Sequence, residues 1–186
     1  MIEAGQLRPG TTIVRNGELF QVLSYDHVVL GRGRAIVRTK LKNLSSDSVT
    51  SETFRPEEKF TTARIERKEA QYLYRDGDAY VMMEGATFEQ YPVAEEIVGD
   101  AKNWINDGST VYLSMFEGRI IGVELPISVE VEITYTEPGF KGDTATGGTK
   151  PATVQTGASV DVPLFVNTGD HILVDTRTGR YIERLG

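Results

Sequence analysis

The sequence has no cysteine and only two histidines, His27 and His171, among its 186 residues. The first absence excludes disulfides, thiolate metal sites and cysteine nucleophiles together. With so few imidazoles, a histidine-built metal site is not expected. Long apolar runs are also lacking. The longest, Ala79 to Met83, is five residues, against the roughly 20 that a membrane-spanning helix needs. The opening Met-Ile-Glu-Ala-Gly has neither the basic nor the apolar region of a secretion signal. The single tryptophan, Trp104, is expected in a core. What remains, 39% apolar and 25% charged residues, is the composition of an ordinary globular chain. The expectation is a soluble, cytoplasmic protein that needs no cofactor and meets no membrane.

Basic residues are fewer than acidic ones, 20 against 27, for a net charge of −7, and they are unevenly placed. Residues 1–63 carry nine bases and seven acids, 64–127 six and twelve, and 128–186 five and eight. A mildly basic head on an acidic body argues against indiscriminate binding to polyanions. These shifts, with Pro126, suggest three domains at 1–63, 64–127 and 128–186. Pieces of some sixty residues lie near the lower limit for independent folding.

The pattern is mostly strand. Thr12–Arg15 and Glu18–Ser24 flank Asn16-Gly17, a pair suited to a two-residue hairpin turn. Tyr25–Leu30 and Ala35–Leu41 flank Gly31-Arg32-Gly33-Arg34 and suggest a second hairpin. Val129, Val131, Ile133 and Tyr135 alternate with polar residues, predicting one buried strand face. His171–Asp175 and Arg180–Leu185 enclose a turn-length link. Only Val93–Ile105, opened by Pro92, has helical character. Many short strands with frequent turns point to small barrels or sandwiches.

Two segments carry candidate chemistry. Between Asp26 and Asp47 there is no acid, while five bases fall between Arg32 and Lys42. Side chains alternate across a strand, so Arg34, Ile36, Arg38, Lys40 and Lys42 share one face and Ala35, Val37, Thr39 and Leu41 the other. The stripe leads to a tip where Gly31 and Gly33 bracket Arg32, whose guanidinium could fork onto phosphate or stack on a base. A solvated hairpin face and an RNA-binding face both fit these residues. The second segment, Pro138 to Pro151, has Gly142 and Gly147 spaced like a phosphate loop, but Gly148 stands where lysine is required and Pro151 opposes a following helix. It reads as a long inter-strand loop in which Asp143 and Thr144 offer an acceptor and a hydroxyl. Catalysis has little support. Neither histidine belongs to a nucleophile motif, and the adjacent Glu95 and Glu96 would not face each other on a helix.

Several stretches resemble the bacterial elongation factor P family: Leu7-Arg8-Pro9-Gly10, Gly31-Arg32-Gly33, Val37 to Asn43, Glu69 to Tyr74, Phe88-Glu89-Gln90-Tyr91, Gly142 to Ala152, Val162 to Val166 and Val174 to Gly179. The resemblance implies a mainly β protein of three small barrels, an SH3-like (KOW-type) barrel followed by two OB-folds, L-shaped and tRNA-like in outline. It implies a non-enzymatic translation factor that sits on the ribosome between the peptidyl-tRNA and exit sites. There it promotes peptide-bond formation at polyproline stalls by positioning peptidyl-tRNA. Arg32 falls at the loop tip that a modifying enzyme acts on in much of the family, and a rhamnosylated and a bare arginine both remain open. Gly142, Asp143 and Thr144 fall in the loop associated with the exit-site mRNA codon. Ribosomal RNA, ribosomal proteins and peptidyl-tRNA are the implied partners, and no cofactor or metal is. An RNA-binding module acting off the ribosome, or a paralogue with other clients, is the alternative.

Overall fold

The structure is a computed structural model that describes residues 1–139 and 147–186, with Arg32 through its backbone. Gly142, Asp143 and Thr144 therefore lie outside the described residues. Nearly all regular structure is strand, arranged in three sheets. The chain divides into two compact units, residues 1–67 with 114–122, and 68–113 with 123–186.

In the first unit, β1 (Ile2–Glu3), β2 (Thr12–Arg15), β3 (Glu18–Leu30), β4 (Arg34–Asn43), β5 (Val49–Phe54) and β6 (Lys59–Thr62) form one sheet in the order β1-β6-β2-β3-β4-β5. Asn16 and Gly17 both take positive φ, 53° and 79°, the twist-compatible turn that their identities allow. Strand β3 is longer than the sequence pattern suggests. Glu18–Ser24 and Tyr25–Leu30 are one strand, joined through a register shift between Val22 and Ser24. A bulge absorbs the extra residue and bends the strand while the ladder continues. Ala4, Leu7, Ile13, Val22, Val37, Leu41, Phe54 and Phe60 close the core of this unit. Phe54 and Phe60 meet edge-on at 4.8 Å.

The middle sheet comprises β7 (Glu66–Asp76), β8 (Ala79–Glu84), β9 (Gln90–Ala94), β10 (Thr110–Phe116) and β11 (Arg119–Glu124), in the order β11-β10-β7-β8-β9. The helix expected over Val93–Ile105 is mostly absent. Pro92 and Val93 belong to β9, opposite Val81 and Tyr80. Only Glu95–Val98 (α1) is α-helical, and a 3-10 segment, Gly99–Asn103, follows. Gly99, at φ 57°, ends the α-helix. Pro92 is compatible with an edge strand, and pairing with β8 outweighs the helical spacing.

The last sheet comprises β12 (Ser128–Thr136), β13 (Thr149–Val154), β14 (Ser159–Pro163), β15 (His171–Asp175) and β16 (Arg180–Leu185), in the order β14-β13-β12-β15-β16. Its end strands, β14 and β16, approach each other, so the sheet curls toward closure. The alternation along β12 breaks at its end. Val131 and Ile133 are buried, but Tyr135 is 62% exposed and Thr136 is buried. A register shift between Ile133 and Tyr135 supplies the extra residue that exchanges the faces. Trp104 is in a core, as expected, but it packs with Val131, Ile133, Val160, Ile172 and Val174 of this last sheet. The Thr156 hydroxyl donates to the Asn103 carbonyl beside it.

Candidate nucleic-acid interface

The cationic stripe lies on β4, which is flanked by β3 and, from Val37 to Lys42, by β5 as well, so only its start next to the tip belongs to a two-stranded hairpin. Strand β4 pairs with β3 from Asn43 opposite Phe20 to Arg34 opposite Leu30. Its ten residues span roughly 30 Å at about 3.3 Å each. Val37, Thr39, Leu41 and Asn43 are buried, and burying a Val or Leu side chain is worth about 1.5–3 kcal/mol. That term fixes the opposite face, because a slip of one residue would put the cations inside. Arg34, Arg38 and Lys40 are exposed, while Ile36 and Lys42 are half-buried.

The surroundings of the stripe differ along its length, and pairing rather than sequence order sets them. Asp26 is directly opposite Arg38 in the ladder, which returns an acid to a stretch that has none in sequence. Lys40 lies between Ser24 and Ser51. Lys42 pairs with Asp47 at 2.9 Å. Asp47 is brought there by a turn in which the Asn43 carboxamide accepts from the Ser45 and Ser46 amides at 2.8 and 3.2 Å. Away from the stripe, Arg15 bonds Glu52 at 3.0 Å, and Arg8 stacks over Tyr25 at 5.0 Å.

At the tip, Gly31–Gly33 form a single 3-10 turn with Arg32 at its centre. Gly33 has φ 75°, whereas Gly31 does not take a positive φ, and a Cβ at either would meet nothing within 4 Å. Backbone conformation therefore calls for glycine at 33, and slenderness is the property that both glycines share. Val29 and Leu30 beside the turn are 72% and 43% exposed. Because β4 begins at Arg34, the tip follows the stripe without an intervening loop.

The base of the second candidate segment is held by specific contacts. Lys150, itself buried, donates to the Glu137 carbonyl at 2.6 Å. The Thr136 hydroxyl donates to the Pro151 carbonyl at 3.0 Å. A Cβ on Gly139 would lie 2.3 Å from the Leu164 carbonyl oxygen. These contacts give Gly139 and Lys150 structural roles.

Two of the titratable residues weighed for catalysis, Glu95 and His171, have structural partners. Glu95 accepts from Arg75 at 3.0 Å and Lys102 at 2.9 Å. The Lys102 ammonium, then Arg75, holds its carboxyl below the usual range. Arg75 and Lys102, but not Glu95, line a shallow cavity of about 510 Å³ together with Tyr72, Tyr80 and Asp107. His171 Nδ1 lies 2.9 Å from a Glu130 carboxylate oxygen on the neighbouring strand. Among the described residues, no group of three or more His, Asp or Glu side chains could hold a metal ion. No helix among them is long and apolar enough to cross a membrane.

Three family models match the chain in succession: the Elongation factor P KOW-like domain over residues 3–60, the Elongation factor P OB domain over 65–123, and Elongation factor P, C-terminal, over 129–184. Elongation factor P of Acetivibrio thermocellus is 51% identical over 185 residues, covering 100% of both chains. That of Caldicellulosiruptor saccharolyticus is 50% identical over the same length, again with 100% coverage of both. Among solved structures, the eukaryotic translation initiation factor 5A from Methanococcus jannaschii matches with a TM-score of 0.53 at 17% identity, over 66% of this chain and 92% of its own. A translation initiation factor 5A family protein from Naegleria fowleri has the same TM-score at 14% identity, over 67% and 96%. At those identities the likeness speaks for fold alone. The three sheets are thus a KOW-like region followed by OB-type regions, and the chain belongs to the elongation factor P family of translation elongation factors.

Proposed function

We propose that this elongation factor binds the ribosome between the peptidyl-tRNA and exit sites and stimulates peptide-bond formation at polyproline stalls. The supporting observation is the β3–β4 hairpin itself, with a slender glycine-bracketed turn centred on Arg32 at the end of a cationic strand face. In this reading Arg34, Arg38, Lys40 and Lys42 contact RNA phosphates. Arg32, bare or enlarged by a modifying enzyme, hydrogen-bonds the peptidyl-tRNA and steadies it. The ribosome performs the acyl transfer, and the factor contributes orientation without a cofactor or catalytic residue of its own. The work is cytoplasmic. Residues 1–63, 64–127 and 128–186 act as its three domains, and the loop of Gly142, Asp143 and Thr144 reaches the exit-site codon.

The test is a reconstituted translation reaction comparing a triple-proline template with a proline-free one. The expected result is faster bond formation on the first template only, with co-sedimentation of the factor and ribosomes. RNA binding without co-sedimentation would favour a module acting off the ribosome. Co-sedimentation without relief of the proline stall would favour a paralogue with other clients.

A further inference from the structure

One edge of the last sheet carries backbone groups that no other described strand pairs with. Strand β14 stands at an end of the sheet order and is hydrogen-bonded to β13 alone. In an antiparallel pair, hydrogen-bonded and non-hydrogen-bonded residue pairs alternate. The Val154 amide donates to the Ala158 carbonyl at 3.0 Å, which puts Ala152–Val160 and Lys150–Val162 in the bonded class. Pro151–Asp161 and Thr149–Pro163 fall in the other class, where a proline loses nothing by lacking an amide. Thr153–Ser159 belongs with them. The amide and carbonyl of Ser159, and those of Asp161, therefore point away from β13 and out of the sheet edge.

A cavity of about 550 Å³ lies along that edge, within the roughly 300–1,000 Å³ of ligand clefts. Ser159 and Asp161 line one side, and Thr178, Arg180 and Tyr181 line the other. Strands β14 and β16 approach each other there without hydrogen-bonding. Asp161 and Arg180 contribute one charge of each sign, so charge alone selects neither a polyanion nor a polycation.

We propose that β14 takes up an extended segment of a ribosomal protein by strand addition. The hydrogen-bonding repeat identifies the occupant. Ser159 and Asp161 each present one donor and one acceptor, and residues two apart on a strand are separated by about 7 Å. A second polypeptide strand presents the matching acceptor and donor at that spacing. Phosphate groups present acceptors only, and would leave both carbonyls unanswered. The shortness of β14, the charge of Asp161 and the missing amide of Pro163 discourage pairing with a second copy of this chain. This inference rests on the ribosomal reading above and adds a protein-directed contact from the last sheet.

The experiment uses the full chain and purified, salt-washed ribosomes. With p-benzoylphenylalanine in place of Thr178, across the cavity from β14, irradiation is expected to give an adduct with a ribosomal protein that resists ribonuclease. Asp161→Pro removes a donor that faces the cavity and none that faces β13, and is expected to lower the adduct yield about fivefold. Asp161→Ala keeps that amide and is expected to leave the yield within about twofold. Ser159→Pro, at the first residue of the strand where proline is tolerated, takes the place of Asp161→Pro if the latter does not fold. A ribonuclease-sensitive adduct, an adduct of two copies of this chain, no adduct, or equal yields from the proline and alanine variants overturns the proposal and leaves ribosome binding intact. Failure of the wild-type chain to co-sediment overturns the ribosomal reading itself, and this inference with it.

Discussion

Two hairpin connections solve the same geometric problem with opposite means. At Gly31–Gly33 the chain turns with residues that resist little, and the positive φ falls on Gly33. At residues 85–89 it turns with a phenylalanine in the left-handed region, held by Glu84, Lys68, Glu89 and Tyr91. The first turn ends a cationic strand face, and the second rests on the Lys68–Glu84 pair and the Tyr91–Glu89 hydrogen bond. A glycine turn needs no scaffold beneath it and leaves a narrow tip. A strained aromatic turn needs a rigid base beneath it. The difference teaches that an exposed turn has to be judged by what holds its conformation as well as by its charge.

The comparison is broken most directly through charge. Converting Arg38, Lys40 and Lys42 together to Gln is expected to weaken ribosome affinity on the order of a hundredfold at low salt. It should also flatten the log–log salt dependence by roughly two to three, near 0.9 per lost phosphate contact. Lys40→Gln should account for the largest single share, since Arg38 lies opposite Asp26 and Lys42 already pairs with Asp47. An unchanged salt slope in the folded triple variant would make the stripe solvated surface.

Backbone substitutions give smaller effects. Gly33→Ala places a side chain at φ 75° and should cost about 1–2 kcal/mol. Gly31→Ala, with open space and no positive φ, should be nearly neutral. Urea denaturation reads both, and equal losses would show that the turn is not strained in the way described.

The smallest effect concerns the base of the second turn. The Glu89 carboxylate that accepts from Tyr91, aided by Glu84, pushes the phenol up to about 12 from an ordinary 10. The folded pKa is raised, so this contribution to stability is fully present below pH 10 and is lost as pH rises through 12. Tyr91→Phe should therefore be less stable than the wild type at pH 8, and the gap should narrow across that window. A gap independent of pH would mean that the hydrogen bond does not stabilise the turn.

The β3–β4 hairpin was the most legible part of the sequence. Alternation of Val37, Thr39 and Leu41 with Arg38 and Lys40 needs only the two-residue period of a strand, and Asn16-Gly17 and the glycines around Arg32 mark their own turns. What escaped depended on partners distant in sequence. A one-residue bulge turned Tyr135 outward and Thr136 inward, and periodicity carries no sign of a bulge. Pairing with β8 drew Pro92 and Val93 into a strand, although their spacing with Ile97 and Ile105 suits a helix. Trp104 was recognisable as a core residue, but which core it joins depends on packing with the last sheet. Asp26 met Arg38 only through strand register. The positive φ of Phe88 left no local signal, because phenylalanine is not a residue from which that conformation is expected.

The central claim is that Arg32 is the working tip of the β3–β4 hairpin and that the stripe carries the affinity. The measurement is the rate of Pro–Pro bond formation on a triple-proline template, with ribosome affinity determined in parallel and with protein of known modification state. Arg32→Ala is expected to slow that bond about tenfold, near the ~1.4 kcal/mol of one charge-assisted hydrogen bond, while affinity changes by less than about twofold. Arg32→Lys is expected to recover only part of the rate, because an ammonium lacks the planar fork. Equal rates for the wild type and Arg32→Ala on that template would contradict the account.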